Sequence, residues 1–179
     1  MKNISNCKLC SLHKNQQPIQ NKTKKSDIMF IGISSQKNSL QKIFQLLDIS
    51  TNSGKFITQL ETALPNQTSH KTNLIKCAPL LPSGKIRYPT NKEINSCFPH
   101  LEKEIKSVQP KIIIPLGKQV TTYFSKHFQI PLKKYHPTKL ENFTILPIDH
   151  PSYLMIYKRK NLEDYRNKII KLIQSVKCP

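Results

Sequence analysis

The sequence predicts an α/β protein, a three-layer α/β/α sandwich around a central, mainly parallel four-stranded sheet. Three observations carry that reading. Four short apolar runs, at residues 27–32, 72–76, 111–116 and 143–148, have the length of strands and little polar alternation, as expected for strands buried on both faces. Segments with apolar residues at helical spacing fall between them, at 40–47, 55–64, 92–108 and 118–128, and another at 162–176 follows the last run. Strand and helix therefore alternate, which implies crossover connections and a sheet covered by helices on each side.

Ahead of the first strand, residues 1–26 form a polar arm that carries Cys7 and Cys10, with residues 14–26 as a connecting loop. Residues 27–179 make the α/β domain, and 179 residues suit one core, so the whole chain is expected to be a single domain. The first strand ends at Gly32, the second at Lys76, the third just before Gly117 and the fourth just before Asp149. In parallel sheets ligands bind beyond the carboxyl ends of the strands. That rule gathers Gly32, residues 76–79, Gly117 and residues 149–152 around one crevice.

Twenty-nine Lys and Arg against ten Asp and Glu give a formal charge of +19, a potential that attracts a polyanion in a salt-dependent way. DNA or RNA is the leading partner, with a Lys- and Asn-rich composition of no functional meaning as the alternative. No run approaches the roughly 18 apolar residues of a membrane span, and the first 26 residues lack the apolar centre of a signal peptide. The expected location is cytoplasmic, and nucleoid-associated if the partner is DNA.

In a reducing compartment cysteines are metal ligands or free thiols more often than disulfides. Cys7 and Cys10 form a C-x2-C pair, Cys77 follows the second strand, Cys97 lies in the 92–108 helix and Cys178 is left over. Two thiolates from one turn and two from separate elements can complete a four-thiolate site, for zinc or for an iron-sulfur cluster. Unliganded buried cysteines are the remaining alternative.

Several stretches then fall into one order: Thr72-Asn73-Leu74-Ile75-Lys76-Cys77-Ala78-Pro79; Pro89-Thr90 and Glu93; Cys97-Phe98-Pro99-His100-Leu101; Gln109-Pro110-Lys111-Ile112-Ile113-Ile114 leading to Leu116-Gly117; and His150-Pro151-Ser152-Tyr153-Leu154. Across nearly the whole chain this resembles the family-four, iron-sulfur uracil-DNA glycosylases. The resemblance implies that Cys7, Cys10, Cys77 and Cys97 ligate a [4Fe-4S] cluster, with zinc as the alternative, and that the cluster clips the arm to the core. The segment between Cys77 and Cys97 is a few residues longer than usual for that family, a small change in loop closure.

Excising a base requires flipping the nucleotide, reading its edge and stabilising a cationic sugar and a departing base anion. An asparagine amide accepts from uracil N3–H and donates to O4, and the resemblance gives that role to Asn73, with Gly32 beside it in the base-binding set. It makes His150 the candidate catalytic residue, donating to the uracil oxygen that gains charge. His136 also precedes a proline, so the dipeptide alone means little. Ser152, Lys158, Arg159 and Lys160 are candidate DNA contacts, with Tyr153, Leu154 and Met155 available to fill the gap a flipped base leaves.

The likeness breaks after the first strand. Where the family carries Gly-Glu-Ala-Pro-Gly, this chain reads Gly32-Ile33-Ser34-Ser35-Gln36, and isoleucine can neither accept a proton nor orient a water. Ile49 aligns with the aromatic residue that stacks on uracil; Phe56, a substitute, is expected to pack in the core instead. The expected partner is single- or double-stranded DNA, and two readings lead: a divergent glycosylase that excises uracil or a related base in base excision repair, with Ser34, Ser35 or Gln36 holding the water, or a catalytically inactive relative that binds single-stranded or damaged DNA as an accessory to replication or repair proteins. An RNA-binding or unrelated four-cysteine protein is the remaining alternative.

Overall fold

In a computed structural model, residues 4–35 and 46–176 are described. The sheet has strands β1 (Ile28–Gly32), β2 (Ser69–Asn73), β3 (Ile112–Pro115), β4 (Thr138–Lys139) and β5 (Thr144–Ile145), in the order β2-β1-β3-β5-β4. The first four in that order run parallel; β4 pairs antiparallel to β5 at the edge. Helices α1 (Asn52–Thr62), α2 (Asn91–Val108), α3 (Lys118–Phe128), α4 (Pro151–Tyr157) and α5 (Leu162–Ser175) provide the rest.

Alternation along β1 builds both halves of the core. Ile28 and Phe30 join Phe56, Ile57 and Leu60 of α1, Leu154 of α4, and Ile169 and Ile173 of α5. Met29 and Ile31 face the other way, into Ile94, Phe98 and Leu101 of α2 and Val120 and Phe124 of α3. Each such buried side chain contributes about 1.5–3 kcal/mol relative to exposure. Two apolar layers on one sheet make the three-layer sandwich that the sequence predicts.

Three details differ from expectation. The sheet has five strands, because β4 is a two-residue edge strand too short to leave a pattern. β2 begins three residues earlier than predicted and is polar, reading SHKTN; it forms because His70 and Thr72 find a buried partner in Glu104 of α2. The apolar Leu74 and Ile75 continue the ladder past the strand, their N–H groups donating to Gly32 and Ile33 carbonyls. Finally, α4 is a helix where the sequence pattern predicts none; Pro151 at its first turn lacks an N–H that the helix would not use. Of the predicted 40–47 helix, residues 40–45 lie outside the described residues, while Leu46 and Leu47 are in a turn.

The segment before β1 is no free linker. Ile19 N–H donates to the Lys76 carbonyl at 2.8 Å, and Asn21 and Asn15 side chains donate to the Lys71 and Ala78 carbonyls. It covers the outer edge of β2, which would otherwise present unpaired backbone groups. Among the described residues no helix is long and apolar enough to cross a membrane.

Candidate active site and cysteine site

Gly32 and Asn73 end adjacent parallel strands and are register partners. A side chain at Gly32 would collide with Asn73 Oδ1, so glycine here lets the amide lie across the strand end. Asn73 is only 3 % exposed, its backbone carbonyl accepts from Lys76 Nζ at 2.9 Å, and its side-chain amide, which makes no hydrogen bond among the described residues, is not a fully buried unsatisfied group and so keeps some contact with solvent. Buried amides normally find partners. This one borders a cleft of about 120 Å³ whose walls include Gly32, Ser34, Asp48, Ser53, His150 and Ser152.

His150 caps α4: its Nδ1 accepts the Ser152 N–H at 3.3 Å. The ring's proton therefore sits on Nε2, and burial pulls the pKa below the usual histidine value, favouring the neutral ring. Gly117, with φ of 87°, lies against the His150 Cβ, where any larger residue would be strained. The Ser152 hydroxyl is 3.1 Å from that of Ser53, tying α4 to α1 across the cleft.

Ser34 and Ser35 both line the cleft, and Ser35 also donates to the Lys76 carbonyl; Gln36 lies outside the described residues. Ile33 is part of the cleft wall and packs against the α2–α3 core. Phe56 is core, as expected, and Ile49 is 58 % exposed. Along α4 the helical period separates the candidate gap-fillers. Leu154 is fully buried and Met155 packs against the core, while Tyr153, Ile156 and Tyr157 are exposed, with the two tyrosine rings 5.3 Å apart. Lys158, Arg159 and Lys160 are exposed where α4 ends. Sequence reasoning missed Ile19, Leu46, Leu47, Asp48, Thr51 and Ser53 as cleft residues. They come from connections, to which strand-end reasoning is blind; the one signal was Thr51 as a capping residue opening α1.

The cysteines meet on the far side of β2's end. Cys77 and Cys97 are buried with Leu12 and Ile75, and Cys10 packs against them. Burial pushes the Cys77 thiol up to about 12, with Cys97, Cys10 and Cys7 adding to the shift by proximity. The Cys97 sulfur accepts the Lys76 N–H at 3.4 Å, and the Cys7 sulfur is 3.2 Å from His100 Nε2. Cys178 lies outside the described residues. Among the described residues no group of His, Cys, Asp and Glu side chains converges closely enough for a single metal ion. Cys10, Cys77 and Cys97 pack together with Leu12 and Ile75, and Cys7 is close enough to add to the Cys77 shift, a donor set of the chemistry that a thiolate-bound centre takes.

A parallel α/β sheet with a polar cleft at its strand ends, an open asparagine and a capped neutral histidine beside it, defines a class: proteins that receive a small polar group in a strand-end crevice. The uracil DNA glycosylase superfamily profile matches residues 15–174, and the chain belongs to that superfamily. Type-4 uracil-DNA glycosylase of Saccharolobus solfataricus is 30 % identical over 183 residues, covering 94 % of this chain and 81 % of the relative. That of Archaeoglobus fulgidus is 23 % identical over 187 residues, covering 96 % and 89 %. The crystal structure of Pedobacter heparinus SMUG2 superposes with a TM-score of 0.57 at 12 % identity, over 85 % of this chain and 76 % of that one, a likeness of fold.

Proposed function

We propose that the protein excises uracil from DNA by hydrolysing the N-glycosidic bond. The observation that carries this reading is the Asn73 amide, which has no hydrogen-bond partner among the described residues and borders the cleft beside His150. Its oxygen accepts uracil N3–H and its NH2 donates to O4, a pattern that cytosine reverses. His150 Nε2–H donates to the uracil O2 as the glycosidic bond breaks and negative charge collects on the base. Membership of the superfamily and the type-4 relatives support catalysis, whereas Ile33 in the cleft wall is the feature that favours DNA holding alone.

Ser152, Lys158, Arg159 and Lys160 contact the DNA backbone, and the exposed Tyr153, Ile156 and Tyr157 lie on the same short helix to occupy the space a flipped nucleotide vacates. Cys7, Cys10, Cys77 and Cys97 hold a [4Fe-4S] cluster. Zinc on the same four thiolates is the alternative. When bound, the cluster would join the arm, through Cys7 and Cys10, to Cys77 after β2 and Cys97 of α2.

The test is single-turnover base release from uracil-containing single and double strands with protein in excess. Wild type should release uracil, and Asn73→Ala and His150→Ala should each lower the rate by about 100-fold or more. Salt-sensitive binding without release by wild type would mean instead that the fold is kept for holding DNA.

A further inference from the structure

Hydrolysis at the sugar needs more than base recognition. As the C1′–N1 bond breaks, its electron pair leaves with the base, C1′ becomes cationic, and a water oxygen must bond to C1′ and give up a proton. A carboxylate beside that carbon stabilises the cation and accepts the proton. Ile33, next to Gly32, offers no such group.

We propose that Asp48 is the carboxylate that performs this task, a catalytic residue contributed by the turn before α1. The inference rests on the glycosylase reading. Asp48 lines the cleft together with Gly32, Ile33, Ser34, Asn73 and His150, and it is the sole acidic residue among the cleft's described walls. Asp149, adjacent to His150 in sequence, is taken up elsewhere: Lys134 donates to its Oδ1 at 2.7 Å and Tyr135 to its Oδ2 at 3.0 Å.

The turn holds Asp48 in place. Its carbonyl accepts from the Thr51 N–H at 2.9 Å and the Thr51 hydroxyl at 2.8 Å, and its Oδ1 accepts the Ser50 N–H at 2.8 Å. Leu47, just before it, has φ of 54°, a conformation that side-chain-bearing residues adopt rarely. The Ser50 N–H keeps the Asp48 carboxyl below its ordinary pKa, and so ionised at neutral pH. Charge argues the same way. On a chain of net charge +19, a carboxylate in a cleft that admits a nucleotide weakens phosphate binding, and its role in the chemistry offsets that loss.

In the balanced step, water bonds to C1′ through oxygen, its proton passes to the Asp48 carboxylate, the uracil anion departs with the C1′–N1 electron pair, and the proton is then passed on to solvent or to the base. The products are free uracil and an abasic sugar.

The experiment pairs single-turnover uracil release with equilibrium binding to the same oligonucleotide at fixed salt, for wild type, Asp48→Asn, Asp48→Ser and Asp48→Glu. Asparagine and serine can each still accept the Ser50 N–H, so both keep the turn while removing the charge. The expected result is a rate loss of about 100-fold in both, with DNA bound as tightly as by wild type or more tightly, and partial recovery in Asp48→Glu. A wild-type rate in either neutral variant, or a rate loss matched by an equal loss of binding, overturns the role of Asp48 and leaves the proposed function standing. Absence of release by wild type itself overturns both.

Discussion

Beneath β2 the Glu104 carboxylate, with no exposed surface, receives Thr72 Oγ1 and Lys76 Nζ and lies 2.9 Å from His70 Nε2. Burial alone would raise its pKa; the His70 hydrogen bond and the Lys76 charge outweigh that and lower it. Lys76, equally buried, also donates to the Asn73 carbonyl. Glu104→Gln would strand the Lys76 ammonium in the interior, and an expected loss of about 3–5 kcal/mol follows from breaking a buried pair on one side. Urea unfolding measures it, and uracil release should fall with it, because the same ammonium positions Asn73. At this scale the sequence was informative where a residue sits at a strand end within a patterned stretch, as Asn73 and His150 do. It was silent on Asp48 and Ser53, since the path of a connection is set by what it packs against and not by periodicity.

Elements follow the same logic. The β1, β3, α2 and α3 segments were legible because their apolar residues repeat with a strand or helix period. β2 was misplaced because its alternate polar side chains are paid for by a glutamate 30 or so residues away, a tertiary partner no local pattern records. The longer-range case is the N-terminal arm, whose cysteines were visible in sequence while its route along β2 was not. Cys97→Ala should lose bound iron and leave residues 14–26 open to proteolysis, since a thiolate centre stabilises the parts it joins. Cys178→Ala should do neither. Iron and sulfide analysis with limited proteolysis checks both, and equal iron in the two variants would overturn the ligand assignment.

For the molecule as a whole, acid is the revealing condition. Asp27 is held down to about 2, chiefly by the Thr68 N–H and then by Lys111. Glu93 is held down to about 2, chiefly by its hydrogen bonds from Arg87. Together with Glu104 these carboxylates have folded-state pKa values below their unfolded ones, so the unfolded chain binds more protons as acid is added. The stability they contribute is fully present above the unfolded values of 3.8 and 4.5 and is lost as pH falls toward 2. Protonation also removes the few negative charges that offset 29 basic residues, adding self-repulsion. His150 and His100 also have folded pKa values below the ordinary 6.5, so the unfolded chain gains protons there first; the urea midpoint should therefore decline gently below about pH 6.5 and then drop steeply below about pH 5.

The arm that follows the edge of β2 has a consequence for how the protein ages. By bonding to the Lys76 and Lys71 carbonyls it hides a strand edge that could otherwise pair with the same edge on another molecule. What keeps it there includes the cysteines. Oxidation of those cysteines would then do more than cost the proposed cluster: it would uncover that edge, turning chemical damage at sulfur into self-association, with aggregation appearing before the sheet itself unfolds.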